Sequence, residues 1–527
     1  MVVVAGGGRR RPPCKLLALL TIQGALLVTL AAAQTCRQQL LQAVPSASGV
    51  EEWIDVATPA EACTKQLDGF DGLYSLVFSD EFNTGDRNFR AKAQDRVWTA
   101  QDLYYFPTKD EEVYKPEQVT VEGEIYQLMV AGARGGGAAV ITIEKVNGGQ
   151  AATSPSQQPD GTVWRVPKEY KSGMINSWNK FCYTGGYVEA AVQLPGNAQT
   201  SGFWPAFWLM GNLGRAGYMQ STAGMWPYSY DSCAGSGKQA WSGLDGQLIT
   251  ACPEQPPAAM RTAWGLGLQQ GRGAPEFDVF EIASTPDGAE PPHASQTLQM
   301  APLMPQGTYW WSGPAAGGVQ YPGAGSQYRT RRNPWSGVLG RPGNEYQDSL
   351  SALSDLDQSF YTGFHTFGVD WRPGEYLRWY IDGVLLYEVN KQALVAQTNG
   401  TGASVGQRLI PLEPMYIIFN LGMSESFGKI QYDKLSFPAQ MKIDWVRVYQ
   451  RTDSINVGCS PAGFPTAEFL ACNRERYLVG DEEQVLIQGK CASGISLSSG
   501  ALSAAAAGLR LAAALGGLLG AAALLLL

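Results

Sequence analysis

Histidine is almost absent: 527 residues contain two, His293 and His365. Neither has a partner at ligand spacing, so a multi-histidine metal centre or a histidine-based relay has little to be built from. Charge is also scarce. Asp, Glu, Lys and Arg make up 16% of the chain, with a formal net charge of −8. The basic stripe that a nucleic-acid partner requires is missing. No CxxC spacing occurs, which removes the common zinc and redox motifs. Long amphipathic helical patterns are few. What is plentiful is Gly (62), Pro (31), Trp (15) and Tyr (23). That mixture reads as many short strands joined by elaborate loops, with flat aromatic faces and polar edges suited to a neutral sugar polymer.

The two ends differ from the body. Arg9, Arg10, Arg11 and Lys15 precede the apolar run Leu16 to Leu30, and small Ala31 and Ala33 stand before Gln34. This order of basic, apolar and small residues predicts a secretory signal over 1–33, with an uncleaved signal anchor as the alternative. At the other end, 493–527 is a Ser/Ala/Gly-rich spacer followed by an apolar run from Leu511 to Leu527. Ser499, Gly500 and Ala501 fit the small residues of a glycolipid-anchor signal, and a short membrane helix beginning near Arg510 is the other reading. Both place the body on a membrane, reached through the secretory pathway (ER and Golgi to plasma membrane or cell surface), with its folded part lumenal or extracellular. Cys14 lies in the targeting segment; the other eight cysteines imply disulfides, with 105 connectivities open. Asn399-Gly400-Thr401 is a glycosylation sequon, predicted to lie on a lumenal surface loop.

Between these ends the sequence divides into a poorly patterned lead-in (34–70), a strand-rich body (71–452) and a cysteine-containing C-terminal extension (453–492). Gly186–Leu194 alternates as a strand. Asp382-Gly383 between Tyr376–Ile381 and Val384–Glu388 is a two-residue hairpin signal. Met415–Leu421 is apolar throughout, as a central strand covered on both faces would be. The expected fold is all-β, a jelly-roll β-sandwich with a concave cleft. Two long loop insertions are predicted, at about Gly211–Ala274 and Pro302–Ser354, and their aromatic content marks them as cleft walls.

The chemistry concentrates in Glu276-Phe277-Asp278-Val279-Phe280-Glu281. On a regular strand Glu276 and Asp278 share a face and Glu281 points away. A β-bulge at Val279 or Phe280 would bring Glu281 back beside them. Three carboxylates on one face repel, so one is expected to hold a proton with a raised pKa. An ionised and a protonated carboxyl flanking one bond are what a retaining glycosidase needs, with the two groups about 5–5.5 Å apart. An exposed strand with solvated acids is the plainer alternative. Nearby, Gly202–Met210 puts Trp204 and Trp208 on one strand face, where they could floor a sugar cleft or pack a core.

Glu-x-Asp-x-x-Glu resembles the catalytic signature of glycoside hydrolase family 16, the laminarinase-like enzymes. Trp204-Pro205-Ala206-Phe207-Trp208, Phe364–Trp371 with the hairpin after it, and Ile443–Tyr449 are similar to that family's other strands, in the same order, over about residues 70 to 452. Leu209–Tyr218, Met225–Cys233, Ala274–Glu281 and Ser295–Pro302 most resemble the fungal β-glucan synthesis-associated proteins of the killer-toxin-resistance type. The resemblance implies a role in making β-glucan, as cell wall or storage polymer. It implies Glu276 as nucleophile, Glu281 as acid/base, Asp278 as the residue that orients and tunes the nucleophile, and Trp204 and Trp208 as sugar-binding. Calcium on the convex face is a feature of relatives, for which Asp444 is the residue to consider, although no EF-hand-like spacing is present. No other cofactor is implied. The fungal members carry a long cytoplasmic arm before a signal anchor; from this sequence neither the arm nor an obvious anchor is expected, and the apolar C-terminus is added instead.

Three functions fit: a transglycosidase that passes a glycosyl unit between β-glucans, a secreted endo-β-1,3-glucanase, and a silent glucan-binding scaffold for glucan synthase machinery. The first two share every catalytic residue.

Overall fold

A computed structural model describes residues 36–67, 72–123, 137–149, 151–158, 160–230, 247–249, 258–266, 270–301, 313–338, 347–402 and 404–497. The signal segment, the C-terminal apolar segment, Cys233 and Cys252 lie outside them. Among the described residues no helix is long and apolar enough to cross a membrane.

Two antiparallel-rich sheets stack as a jelly-roll sandwich. The first runs, in spatial order, Val319–Gln320, Val384–Asn390, Tyr376–Ile381, His365–Arg372, Gly186–Gln193, Ala439–Arg451, Ala138–Lys145, Tyr170–Ser172 and Glu112–Tyr114, with Tyr74–Asp80 also paired to Ala439–Arg451. The second runs Arg331–Arg332, Gln347–Asp355, His293–Met300, Glu276–Ala283, Trp204–Gly211, Met415–Gly422, Met174–Asn176 and Thr99–Ala100. The predicted hairpin closes at Asp382 and Gly383, both with positive φ (48° and 77°), the conformation of a type I′ turn.

Alternation along the strands sorts side chains into two apolar clusters. Between the sheets lie Phe277, Phe280, Ile282, Phe207 and Phe419, facing Phe367, Val369, Trp371 and Trp379. Phe280 meets Phe367 at 4.5 Å between ring centroids, and Phe277 meets Trp371 at 5.6 Å. Removing a ring of this size from such a core costs about 3–5 kcal/mol.

The second cluster lies on the outer face of the second sheet. Ala206, Trp208, Met210, Tyr416 and Ile418 project there and are covered by Met225, Ile249 and Trp264 of the first insertion and by Phe469, Leu470 and Tyr477 of the C-terminal extension. This is why Met415–Gly422 is buried along its whole length. Arg215, itself buried, ties the layers together: it donates to the Tyr477 carbonyl at 2.6 Å and to Glu483 at 2.9 Å. Cys182–Cys459 joins the sheet to the extension, and Cys472–Cys491 closes the extension on itself.

Two expectations change. The second insertion ends earlier than Ser354, because Gln347–Asp355 is a full strand paired with His293–Met300. Its core side is Leu350 and Ala352 and its other side Ser349 and Ser351, an alternation that serine content disguises as loop. The lead-in is also more than a poorly patterned segment: Leu40, Ala47 and Ile54 join the inter-sheet core, pinned by Cys36–Cys63.

Candidate active site

The strand Glu276–Ala283 carries the expected bulge. Asp278 stands opposite Thr297 and Glu281 opposite Ser295, so Val279 and Phe280 together face the single Gln296. On the other side the register jumps from Phe207↔Phe280 to Trp208↔Asp278, leaving Val279 as the extra residue. Val279 and Phe280 both enter the inter-sheet core, and Glu276, Asp278 and Glu281 are left on the outer face. Trp379 of the first sheet donates its indole N–H to the Asp278 carbonyl at 2.7 Å, using a backbone acceptor that sits at the irregularity.

Each acid has its own donor. Glu276, 8% exposed, accepts the indole N–H of Trp226 on Oε2 at 2.7 Å. Asp278, 2% exposed, accepts the Gln299 amide at 2.9 Å. Glu281 is half-buried and accepts the Trp204 indole N–H at 3.2 Å. The half-buried ring of Trp204 stacks on Phe427 at 4.2 Å.

All three carboxyls are pushed up. Burial raises Glu276 to about 8; the charge of Glu281 adds to this, while the bonds from Trp226 and Asp278 pull it back. Burial, then the Glu276 charge, raises Asp278 well above its ordinary range, against a lowering bond from Gln299. Burial, then Asp278, raises Glu281 well above its ordinary range, and Trp204 opposes that. The two carboxyls act on one another, the contact with Asp278 lowering Glu276 and the charge of Glu276 raising Asp278.

Trp208 stands in register with Asp278, on the same face as the acids. It is 6% exposed, covered by the second cluster, and its indole N–H bonds Asn420 at 2.8 Å. Asn420 in turn donates to Tyr114 (3.1 Å) and Tyr114 to Asp110 (3.0 Å), a satisfied buried chain beneath the site. Trp226 and Gln299 carried no assigned role in the sequence reading. Gln299 was findable, since it stands directly opposite Glu276 in register; Trp226 arrives from an insertion, 50 positions away in sequence. Asn399 is half-exposed, between the short strands Gln397–Thr398 and Ser404–Val405. Asp444 is half-buried on Ala439–Arg451. Among the described residues one grouping has three potential metal ligands, Glu468, Cys472 and Cys491, and its two sulfurs form a disulfide.

A jelly-roll sandwich with a bulged strand presenting Glu-x-Asp-x-x-Glu on its open face defines the class of protein. The chain matches the family of β-glucan synthesis-associated proteins SKN1/KRE6/Sbg1 over residues 18–134 and 164–482, and belongs to that family. It is 34% identical over 437 residues to the β-glucan synthesis-associated protein KRE6 of Candida albicans, a match covering 79% of this chain and 51% of that protein. To KRE6 of Saccharomyces cerevisiae it is 33% identical over 436 residues, covering 79% and 52%. The chain thus spans about half the length of the curated relatives it matches. The laminarinase catalytic domain of Thermotoga maritima aligns with 72% of this chain and 98% of its own length, at 17% identity and a TM-score of 0.38.

Proposed function

We propose that the chain is a retaining β-glucan glycosidase or transglycosidase that acts in β-glucan biosynthesis and remodelling. The observation that carries this reading is the bulge at Val279, which gathers Glu276, Asp278 and Glu281, all three raised by burial, on one face.

In the first step the Glu276 carboxylate attacks the anomeric carbon, the glycosidic C–O bond breaks, and the Glu281 proton passes to the departing oxygen. Trp226 holds Glu276 by its Oε2, and Asp278, two residues on and on the same face, lies beside it, so the nucleophile is oriented before substrate arrives. In the second step an acceptor hydroxyl gives its proton to the Glu281 carboxylate while its oxygen attacks the same carbon, freeing Glu276. A glucan acceptor gives transfer and water gives hydrolysis. Trp204, with its N–H on Glu281 and its ring half-exposed, contacts sugar beside the acid; Trp208 stands next to Asp278 on the same face and braces the site from the side.

The terminal segments support delivery through the secretory pathway and attachment to a membrane, with the sandwich lumenal or outside and glucan synthase machinery as a neighbour. Purified protein incubated with β-1,3-gluco-oligosaccharides, with and without excess labelled acceptor, should yield lengthened labelled products of retained anomeric configuration. Absence of cleavage and of transfer would overturn the reading.

A further inference from the structure

The outer face of the second sheet carries a polar row that leaves the three acids and crosses two more strands. Asp278 is in register with Thr297, and Thr297 with Ser351. The Thr297 and Ser351 hydroxyls bond at 2.8 Å, and Asn333 donates its amide to Ser351 at 3.1 Å. Glu276 is similarly in register with Gln299 and Gln299 with Ser349.

The row ends at a small surface pocket whose lining includes Arg332, Asn333, Trp335, Ser349, Tyr321 and Tyr387. Three features of this pocket are unusual together. Trp335 is 41% exposed, a large flat ring held against solvent by a bond from its backbone N–H to Asn333. Tyr321 and Tyr387 stack beside it at 5.4 Å. Ser349 is 1% exposed, and among the described residues its hydroxyl has no hydrogen-bond partner. A buried unpaired hydroxyl is rare in a folded protein and asks for a ligand group.

We propose that this pocket is a distal glucosyl subsite, in which Trp335 stacks on a pyranose ring while Asn333 and Ser349 meet its hydroxyls. The inference rests on the glucan-active reading above and adds where the chain is gripped. At about 4.8 Å per strand, two to three strands separate the pocket from the acids, so the gripped ring lies about 10–14 Å, or some three sugar residues, from the bond that is cut. A flat aromatic face with hydroxyl, amide and guanidinium donors around it suits a hydroxyl-rich sugar chain. The subsite makes the protein a reader of glucan length: chains too short to reach Trp335 bind through the acid site alone.

The test is calorimetric binding to the catalytically silenced Glu276→Gln protein, which needs no turnover. Laminariheptaose should bind more tightly than laminaritriose. Adding Trp335→Ala should weaken the heptaose by about three- to tenfold and leave the triose unchanged. Trp335→Phe should recover most of the loss, which a merely destabilised loop would not do. Equal loss for both lengths, or none for either, overturns the subsite while the glucan reading stands. Binding of neither oligosaccharide before Trp335 is changed overturns the glucan reading, and the subsite with it.

Discussion

Glu276→Gln should make the protein more stable as pH rises, and the structure sets the size of the effect. Burial lifts the Glu276 carboxyl from its ordinary 4.5 to about 8. The native state therefore binds this proton more tightly than the unfolded chain. Where the native state holds more protons, stability falls as pH rises, here between about 4.5 and 8. At about 1.4 kcal/mol per pH unit, the full traverse removes roughly 4–5 kcal/mol by pH 8, an upper figure because Asp278 and Glu281 take up part of the proton. Glutamine has nearly the same shape and its carbonyl oxygen can still accept the Trp226 indole N–H, but it does not titrate. The melting temperature of Glu276→Gln minus that of wild type should be near zero at pH 4 and rise to about +5 °C by pH 8, given the unfolding entropy of a body this size. Differential scanning calorimetry at half-unit pH steps reads this directly. A difference that stays flat across pH, or that turns negative at pH 8, would refute the buried-acid argument.

The neighbouring groups give further tests. Trp226→Phe removes the donor that opposes the rise of Glu276, so the acidic limb of kcat/KM should move to higher pH and the rate at neutral pH should fall about tenfold. Glu281→Gln should fail on natural glucans but still form the glycosyl ester from activated aryl glycosides, whose leaving groups need no proton; equal loss on both substrates would deny Glu281 the acid role. Asp278→Asn should cost less than Glu276→Gln, because an amide N–H can replace the acid's O–H toward Glu276. Trp379→Phe leaves the Asp278 carbonyl unpaired, costing about 1–3 kcal/mol in denaturant melts and lowering activity without touching substrate.

Much of the site was legible because Glu276, Asp278 and Glu281 break strand parity: a two-residue period cannot put all three on one face, and the apolar Val279-Phe280 pair is what a bulge turns inward. The hairpin at Asp382-Gly383 and the central strand Met415–Gly422 were equally open, since turn chemistry and an unbroken apolar run depend on local sequence. Contacts that only the tertiary fold creates were not. Trp208 alternates with Trp204 and shares the face of the acids as the period requires, but its burial is set by the first insertion and the C-terminal extension, which fold over that part of the sheet and have no period that reveals what they cover. Trp226 comes from the same insertion. The strand Gln347–Asp355 hid behind its serines, which line the polar side of a sheet that faces the cleft.

The central claim is that Glu276 becomes covalently glycosylated. A 2-deoxy-2-fluoro-β-glucoside or laminaribioside with a good leaving group slows release of the intermediate, and peptide mass spectrometry then locates the sugar. The account predicts one added glycosyl mass on the peptide containing Glu276, absent from Glu276→Gln and removed by an oligosaccharide acceptor. A label on Glu281 instead, or turnover of glucan with inverted configuration and no label, would contradict it.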